Sequence, residues 1–127
     1  MILPALFIAP TTTMGKGVFT SEDLAAGTII EISPVIVMSD ADRKLIDQTM
    51  LHDYIFEWGE NIRQCCMALG YVSMYNHSYD PNCVYEMDYE NNNMTIRTIK
   101  PVKKGEELYF SYNGDPEDQS PLWFHTT

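Results

Sequence analysis

The chain has 127 residues, of which 45% are hydrophobic, and its 18 acidic and 8 basic side chains give a formal net charge of -10. This length predicts one domain with its own core, and this hydrophobic content argues against intrinsic disorder. Because an acidic protein repels phosphate backbones, the charge disfavours direct nucleic-acid binding. It favours cationic partners, although such a charge also serves solubility alone.

The first ten residues are apolar, but they contain Pro4 and have no basic leader. Since a membrane span needs about 20 apolar residues, we interpret this segment as an edge strand and expect neither secretion nor membrane anchoring. The three cysteines, Cys65, Cys66 and Cys83, form neither an even set nor a C-x-x-C pair. This pattern argues against a disulfide framework or a zinc site and favours an intracellular protein.

Short runs rich in β-branched and aromatic residues recur along the chain and predict a mostly β fold with short helices. These runs lie at residues 18–20, 28–32, 35–38, 83–89, 94–99 and 108–112. Alternation in the run at 83–89, followed by three asparagines, predicts a hairpin with the next run. Gly27 and Gly105 predict turns with positive φ that precede strands.

Two short helices are predicted beside these strands. Ser39-Asp40-Ala41-Asp42 has the composition of a helix N-terminus, with a capping residue and acids in the first turn. Apolar residues then follow at helical spacing through residue 51. A second helical segment is predicted within residues 65–75, where Met67-Ala68-Leu69 precedes Gly70.

Three motifs carry the chemical information of the chain: Gly15-Lys16-Gly17, Tyr75-Asn76-His77-Ser78, and the Gly-Glu-Glu-Leu-Tyr-Phe-Ser-Tyr run at 105–112. In this order they resemble the signature motifs of SET-domain protein methyltransferases. The resemblance extends over nearly the whole chain, and the small viral and bacterial SET proteins look most similar.

The resemblance implies a single SET domain over residues 1–127, with a β-clip-like fold. The Asn76 segment and the strand at 108–112 would cross in a knot-like arrangement. It also implies an enzyme that transfers methyl groups from S-adenosylmethionine to lysine side chains of a protein, such as a histone or another basic protein. No G-x-G-x-x-G run opens a helix, which disfavours a Rossmann-type methyltransferase.

The resemblance assigns the donor site to backbone groups of Lys16 and Gly17 and to the side chains of Asn76 and His77. Asn76 offers donors and an acceptor, and a neutral His77 offers one of each, so both suit a ligand site. The same residues are also strong turn formers, which is the alternative interpretation of this motif.

No zinc is expected, because Tyr79 stands where many relatives carry a cysteine and no Cys-x-Cys follows Tyr112. In those relatives the cysteines hold a zinc ion that closes over the donor. Trp123, in the tail at 115–127, is therefore the candidate for stacking on the donor's adenine. A disordered terminus is the alternative.

Tyr112 matches the catalytic tyrosine of the family. Because a tyrosine hydroxyl titrates near pKa 10, we predict that Tyr112 aligns the acceptor amine rather than removing its proton. Tyr54, Tyr109 and Phe110 are predicted to line a dry channel that lowers the pKa of the lysine. Phe110 occupies a position where the family carries Phe or Tyr, and its lack of a hydroxyl predicts two or three methyl groups.

Three other functions stay open from the sequence. The chain is compatible with a SET-fold module that binds a basic peptide or the cofactor without catalysis, with an acidic interaction domain whose motifs are only turns, and with methylation of a residue other than lysine. The resemblance also suggests a homodimer. We expect an intracellular location, cytoplasmic or, in a eukaryotic host, nuclear.

Overall fold

The computed structural model describes residues 1–59, 64–113 and 117. Within them lie nine strands, one α-helix and two 3-10 helices, as the mostly β prediction requires. The strands are β1 Leu6–Pro10, β2 Lys16–Thr20, β3 Ile29–Met38, β4 Ile55–Trp58, β5 Gln64–Ala68, β6 Asn76–His77, β7 Cys83–Asp88, β8 Asn93–Thr98 and β9 Glu107–Phe110. The helix α1 is Asp40–Ile46, and the 3-10 helices are Met50–Tyr54 and Val72–Met74.

The strands form two sheets. One has the order β1-β2-β9-β6 and the other the order β4-β5-β3-β8-β7. The ladders are antiparallel except for the parallel pair β6 and β9. The N-terminal segment supplies an edge strand, β1, as predicted. The predicted hairpin is β7 and β8, and Asn92 at its turn has φ +53°.

The core lies between the sheets and is built from alternate residues of the strands. Ile30 of β3, Met94 and Ile96 of β8, and Leu108 and Phe110 of β9 are at most 1% exposed. Removing such side chains from water stabilises the fold by about 1.5–3 kcal/mol each. Because alternate residues of a strand face the same side, β9 can fill the core with Leu108 and Phe110 and present its other residues elsewhere.

The first predicted helix is confirmed at its capped start but ends at Ile46 rather than near residue 51, and the second predicted helix is wrong. Ser39 caps α1 in a capping box with Asp42. The segment at 65–68 is instead the strand β5, which pairs with β3 and β4. Only Val72–Met74 forms a 3-10 turn. The good helix propensity of Met67 and Ala68 is overridden because Cys65, Cys66 and Ala68 are buried in that sheet.

The two runs predicted at 28–32 and 35–38 form one strand, β3. Residues 29–34 of this strand pair with β8, and residues 35–38 pair with β5. Pro34 stands where the pairing changes partner, so its missing N–H interrupts neither ladder. Gly27 and Gly105 have φ of +81° and +86°, as their turns require.

Candidate active site

The sheet β1-β2-β9-β6 makes the three motifs neighbours. β9 lies between β2, which contains Gly17, and β6, which consists of Asn76 and His77. Asn76 faces Tyr109 and His77 faces Phe110 across the parallel pair, and the Ser78 N–H donates to the Phe110 carbonyl at 3.2 Å. Motifs separated by tens of residues in sequence therefore meet within one layer.

A compact polar cluster forms where Gly17 passes Asn76 and Glu107. The Asn76 amide nitrogen donates to the Lys16 carbonyl at 3.1 Å and to Glu107 Oε2 at 2.7 Å. A Cβ at Gly17 would lie 2.3 Å from Glu107 Oε2 and 2.8 Å from the Asn76 amide nitrogen, so only glycine allows this approach. The structure thus brings Lys16, Gly17 and Asn76 together as predicted.

His77 is 6% exposed and joins the two signature motifs. Its Nδ1 accepts the backbone N–H of Tyr112 at 3.0 Å. Burial lowers the pKa of the imidazole, which favours the neutral ring with its proton on Nε2. Among the described residues nothing accepts a hydrogen bond from this buried Nε2. A buried donor without a protein partner needs an acceptor from an ordered water or a bound ligand.

Tyr112 forms hydrogen bonds through both its backbone and its side chain. Its N–H donates to His77, and its hydroxyl donates to the Tyr75 carbonyl at 2.6 Å. Burial, followed by the electrostatic effects of Tyr54 and Glu107, raises the pKa of Tyr112 to about 12. The hydroxyl is therefore neutral at physiological pH and serves as a hydrogen-bonding group of fixed direction.

Tyr112 also borders a groove of about 750 Å³. Its walls include several aromatic rings, and Asp47, Asp53 and Glu57 add carboxylates. Arg43 partly balances these carboxylates, because its guanidinium lies 3.5 Å from Glu57 and 3.8 Å from Asp47. The rings that line the groove are those of Tyr54, Phe56, Tyr75, Tyr85, Tyr89 and Tyr112.

The structure places the three predicted channel residues in three different positions relative to the groove. Tyr54 lines the groove and is 41% exposed. Phe110 is 1% exposed and lies behind the wall, where its ring contacts Tyr75, Tyr85 and Tyr112 at centroid distances of 5.3, 5.0 and 5.7 Å. Tyr109 is not among the residues that border the groove, because it lies on the other face of β9 and donates its hydroxyl to Glu107 at 2.9 Å.

The sequence-based prediction missed two polar residues that hold these segments. Glu107 binds both Asn76 and Tyr109 through its carboxylate. Asn82 accepts the Tyr109 N–H at 2.8 Å and donates to the Glu107 carbonyl at 2.9 Å. Glu107 belongs to the third motif, and Asn82 follows the second motif by four residues in a turn-forming Asp-Pro-Asn run, which are the signals that would have found them. Trp123 lies outside the described residues.

Across residues 1–59, 64–113 and 117, no group of three or more His, Cys, Asp or Glu side chains is arranged to hold a metal ion. Within the same part of the chain, no helix combines the length and the apolar character that a membrane crossing requires.

A family model described as the SET domain matches residues 15–113. The chain is 38% identical over 125 residues to a Schizosaccharomyces pombe histone-lysine N-methyltransferase specific for lysine 37 of histone H3. This alignment covers 98% of this chain and 80% of that protein. It is 30% identical over 121 residues to human histone-lysine N-methyltransferase 2D, which covers 89% of this chain but 2% of that much longer protein.

Solved structures share the fold. A candidate histone methyltransferase of Plasmodium falciparum superposes with a TM-score of 0.66 and 28% identity, covering 87% of this chain and 95% of that one. A Chaetomium thermophilum Polycomb Repressive Complex 2 bound to S-adenosylmethionine gives a TM-score of 0.72 at 21% identity, over 85% of this chain and 15% of that one. These four relatives are eukaryotic, so they do not support the expected likeness to viral and bacterial proteins in particular.

Proposed function

Because this chain belongs to the SET-domain family and is an S-adenosylmethionine-dependent protein-lysine N-methyltransferase, we propose that its acceptor is a lysine of a histone or of another basic protein. Two features support a basic acceptor. The chain has a net charge of -10, and carboxylates of Asp47, Asp53 and Glu57 border the groove beside Tyr112. Opposite charges on two partners speed their encounter and fix their orientation.

The observation that supports methyl transfer at this site is the pair of hydrogen bonds made by Tyr112. One joins its backbone to His77 in the predicted donor site, and the other aims its hydroxyl at the Tyr75 carbonyl on the border of the groove. A single residue therefore has its backbone tied to one half of the site and its ring in the other half. Such an arrangement suits an enzyme that must align two reactants.

We propose that Lys16, Gly17, Asn76 and His77 hold S-adenosylmethionine. The Lys16 carbonyl offers a hydrogen-bond acceptor and the Glu107 carboxylate a negative charge for the ammonium group of the donor, and the buried His77 Nε2 offers a hydrogen bond. When bound, S-adenosylmethionine supplies a methyl group on a positively charged sulfur. The residues fit this group because they combine a close backbone approach at Gly17 with an unpartnered buried donor.

Trp123 remains the proposed cover for the adenine of the donor. This proposal depends on the expected absence of zinc, since Tyr79 occupies the position of the zinc-binding cysteine of other relatives. Chelation with EDTA should then leave activity unchanged, whereas Trp123→Ala should weaken donor binding by about 1–3 kcal/mol, the value of one lost aromatic stack on a base.

On the acceptor side, we propose that Tyr54 and Tyr112 flank the lysine and that Phe110 supports them from behind. A lysine must lose its proton before it accepts a methyl group, and aromatic rings that displace water from its ammonium group on binding lower the pKa of that group. Since the pKa of Tyr112 is raised to about 12, its hydroxyl orients the amine and does not take its proton. Addition of two or three methyl groups stays a prediction from the resemblance, because Phe110 carries no hydroxyl but does not itself border the groove.

Tyr109, in contrast, lies beside Glu107, and we propose that it stabilises the donor site rather than the lysine channel. Its hydroxyl binds the carboxylate that also holds Asn76. Burial and this hydrogen bond raise the pKa of Tyr109 to about 12, so it stays a donor to Glu107. The channel role first predicted for Tyr109 thus has no support from its contacts.

The remaining proposals concern the cellular location, the partner, the domain extent and the oligomeric state. Eukaryotic histone methyltransferases among the relatives support a nuclear location, and the acidic charge supports a protein partner rather than nucleic acid. A single SET domain over residues 1–127 and a homodimer both stay predictions. Sedimentation of the purified chain would measure its oligomeric state directly.

The test of the proposed function is incubation of the protein with labelled donor and core histones, followed by mass spectrometry of the labelled residues. We expect label on lysine and, on the preferred acceptor, two or three methyl groups. The matched variant is Tyr112→Phe, which removes one hydroxyl oxygen and retains the ring. Label on arginine or histidine instead of lysine would overturn the proposed acceptor.

A non-catalytic module that binds the donor or a basic peptide is the second candidate, and the same experiment separates it. Such a module would show a thermal shift with the donor but no label on any acceptor. An acidic interaction domain would show neither. The buried His77 Nε2 without a partner favours donor binding over this last alternative.

A further inference from the structure

Glu31 is an acidic residue of the core. It is 0% exposed on β3, and none of the ion pairs within residues 1–59 and 64–113 involves it. Its oxygens accept hydrogen bonds from three groups: the Ser33 hydroxyl at 2.6 Å, the Tyr71 N–H at 2.8 Å and the Tyr75 hydroxyl at 2.9 Å. Burying a charged group is costly unless hydrogen bonds compensate it, and these three donors supply that compensation.

Two of the three donors, the Tyr71 N–H and the Tyr75 hydroxyl, lie at the two ends of segment 71–75, whose last residue opens the second motif. Tyr71 stands at its start and Tyr75 at its end, with the 3-10 helix Val72–Met74 between them. The turn before this segment is fitted to the same carboxylate. Gly70 has φ +66°, and a Cβ there would lie 2.4 Å from Glu31 Oε2. Glu31 therefore fixes both ends of residues 71–75 relative to β3.

The end of this segment reaches the proposed catalytic tyrosine directly. The Tyr75 carbonyl is the acceptor for the Tyr112 hydroxyl at 2.6 Å. The Tyr75 ring is fully buried and stacks on Phe110, with centroids 5.3 Å apart and an interplanar angle of 28°. One hydrogen bond from Tyr75 to Glu31 and one from Tyr112 to Tyr75 thus connect a core carboxylate to the groove.

We propose that Glu31 is a positioning residue for methyl transfer, which acts through the Tyr75 hydroxyl to set the direction of the Tyr112 hydroxyl. This inference rests on the proposed function of Tyr112. Near-attack geometry is sensitive to displacements of about 1 Å, so loosening Tyr75 should slow the reaction without removing a binding contact for either substrate.

The main test compares Tyr75→Phe with Thr98→Val in the full chain. Tyr75→Phe keeps the stacked ring and the backbone carbonyl but removes the contact with Glu31. Thr98→Val removes a buried hydroxyl that, among the described residues, forms hydrogen bonds to Ala25 and Thr28, and it serves as the control for a general loss of stability. Thermal midpoint, kcat, KM for a histone peptide and Kd for S-adenosylmethionine are measured for both variants, well below their melting temperatures.

We expect Tyr75→Phe to lower kcat about tenfold, while KM and the donor Kd stay within about twofold of the wild type. Thr98→Val should lower the melting temperature with kcat within about twofold. Glu31→Gln tests the same hydrogen bond between Glu31 and Tyr75 by changing the acceptor instead of the donor. An amide that donates to the Tyr75 hydroxyl still restrains this ring, so Glu31→Gln should retain more activity than Tyr75→Phe.

The proposal is overturned if Tyr75→Phe and Thr98→Val reduce kcat equally, or if the donor Kd of Tyr75→Phe rises as much as its kcat falls. A measurement without turnover separates this failure from failure of the proposed function. Ring resonances of Tyr112, observed by NMR after isotope labelling, should shift in Tyr75→Phe and not in Thr98→Val. If the wild type labels no lysine, the proposed function fails, and an unchanged Tyr112 spectrum would overturn the positioning link itself.

Discussion

The two halves of the candidate active site are built differently. The proposed donor half consists of backbone groups and polar side chains in contact at 2.7 to 3.1 Å, with no room for a methyl group at Gly17. The acceptor half is a groove of about 750 Å³ with aromatic walls and charged residues that are partly exposed. One half is defined by fixed distances, and the other by shape and charge.

This difference predicts how each half responds to substitution. A close-packed polar cluster has no alternative arrangement, so a small change at one atom should remove function sharply. A groove that solvent enters can adjust, and its charges are screened, so single changes there should act by small factors. Tyr112 belongs to both halves and should give the largest effect of all.

Tyr112→Phe is therefore the first test of the comparison. The substitution retains the ring and the backbone bond to His77 but loses the hydroxyl that binds the Tyr75 carbonyl. We expect kcat to fall about a hundredfold, because one oriented polar group is lost at the reacting centre. The donor Kd, measured by calorimetry, should change by less than about twofold, since this contact lies on the acceptor side. A kcat within threefold of the wild type would contradict the assignment of Tyr112.

Gly17→Ala should weaken donor binding by about ten- to a hundredfold. The added Cβ meets Glu107 Oε2 at 2.3 Å and the Asn76 amide at 2.8 Å, so the cluster must shift, at a cost of about 1–3 kcal/mol. Gly27→Ala is the matched control, because this glycine has φ +81° but no neighbour within 4 Å of an added Cβ. The control should lower the melting temperature and leave the donor Kd unchanged. Equal Kd changes in both variants would show that the cluster is not the donor site.

Asp53→Asn should have a smaller and salt-dependent effect. Asp53 borders the groove, and an exposed ion pair with a basic peptide contributes about 0.2–1 kcal/mol, which corresponds to about a one- to fivefold rise in peptide KM. Raising the ionic strength should shrink this difference. Glu22→Gln makes the same charge change at a residue that does not border the groove. If both variants raise KM alike, overall charge rather than the groove attracts the peptide.

The pH dependence of stability should give the smallest effect. Burial lowers the pKa of His77 below its usual 6.5, so the unfolded chain binds a proton more readily than the folded one. The contribution of His77 is therefore complete above about pH 6.5 and is lost as the pH falls through the folded pKa. Thermal midpoints between pH 5 and 8 measure this, and His77→Asn should flatten the curve in that range. A curve unchanged by the substitution would show that other groups control acid stability.

The motif residues themselves could be identified from the sequence, but their partners could not. Glycine, asparagine and histidine at 15–17 and 76–77 have recognisable backbone and hydrogen-bonding properties. Glu31 gave no such signal, because one acidic residue within an apolar strand has the same appearance whether it is buried or not. Local propensity predicts a helix at 65–68 for a related reason, since it does not register the pairing with β3 and β4 that makes this segment a strand.

The amino-acid sequence by itself determined the strand-rich class, the capped helix α1, the turns with positive φ and the order of the three motifs, since these depend on residues close together along the chain. The tertiary structure decided which residues meet. Tyr112 and Tyr75 are 37 positions apart, and Tyr75 and Glu31 are 44 apart. Contacts across such distances follow from the parallel pairing of β6 with β9 and from the packing of the core, which no local preference encodes.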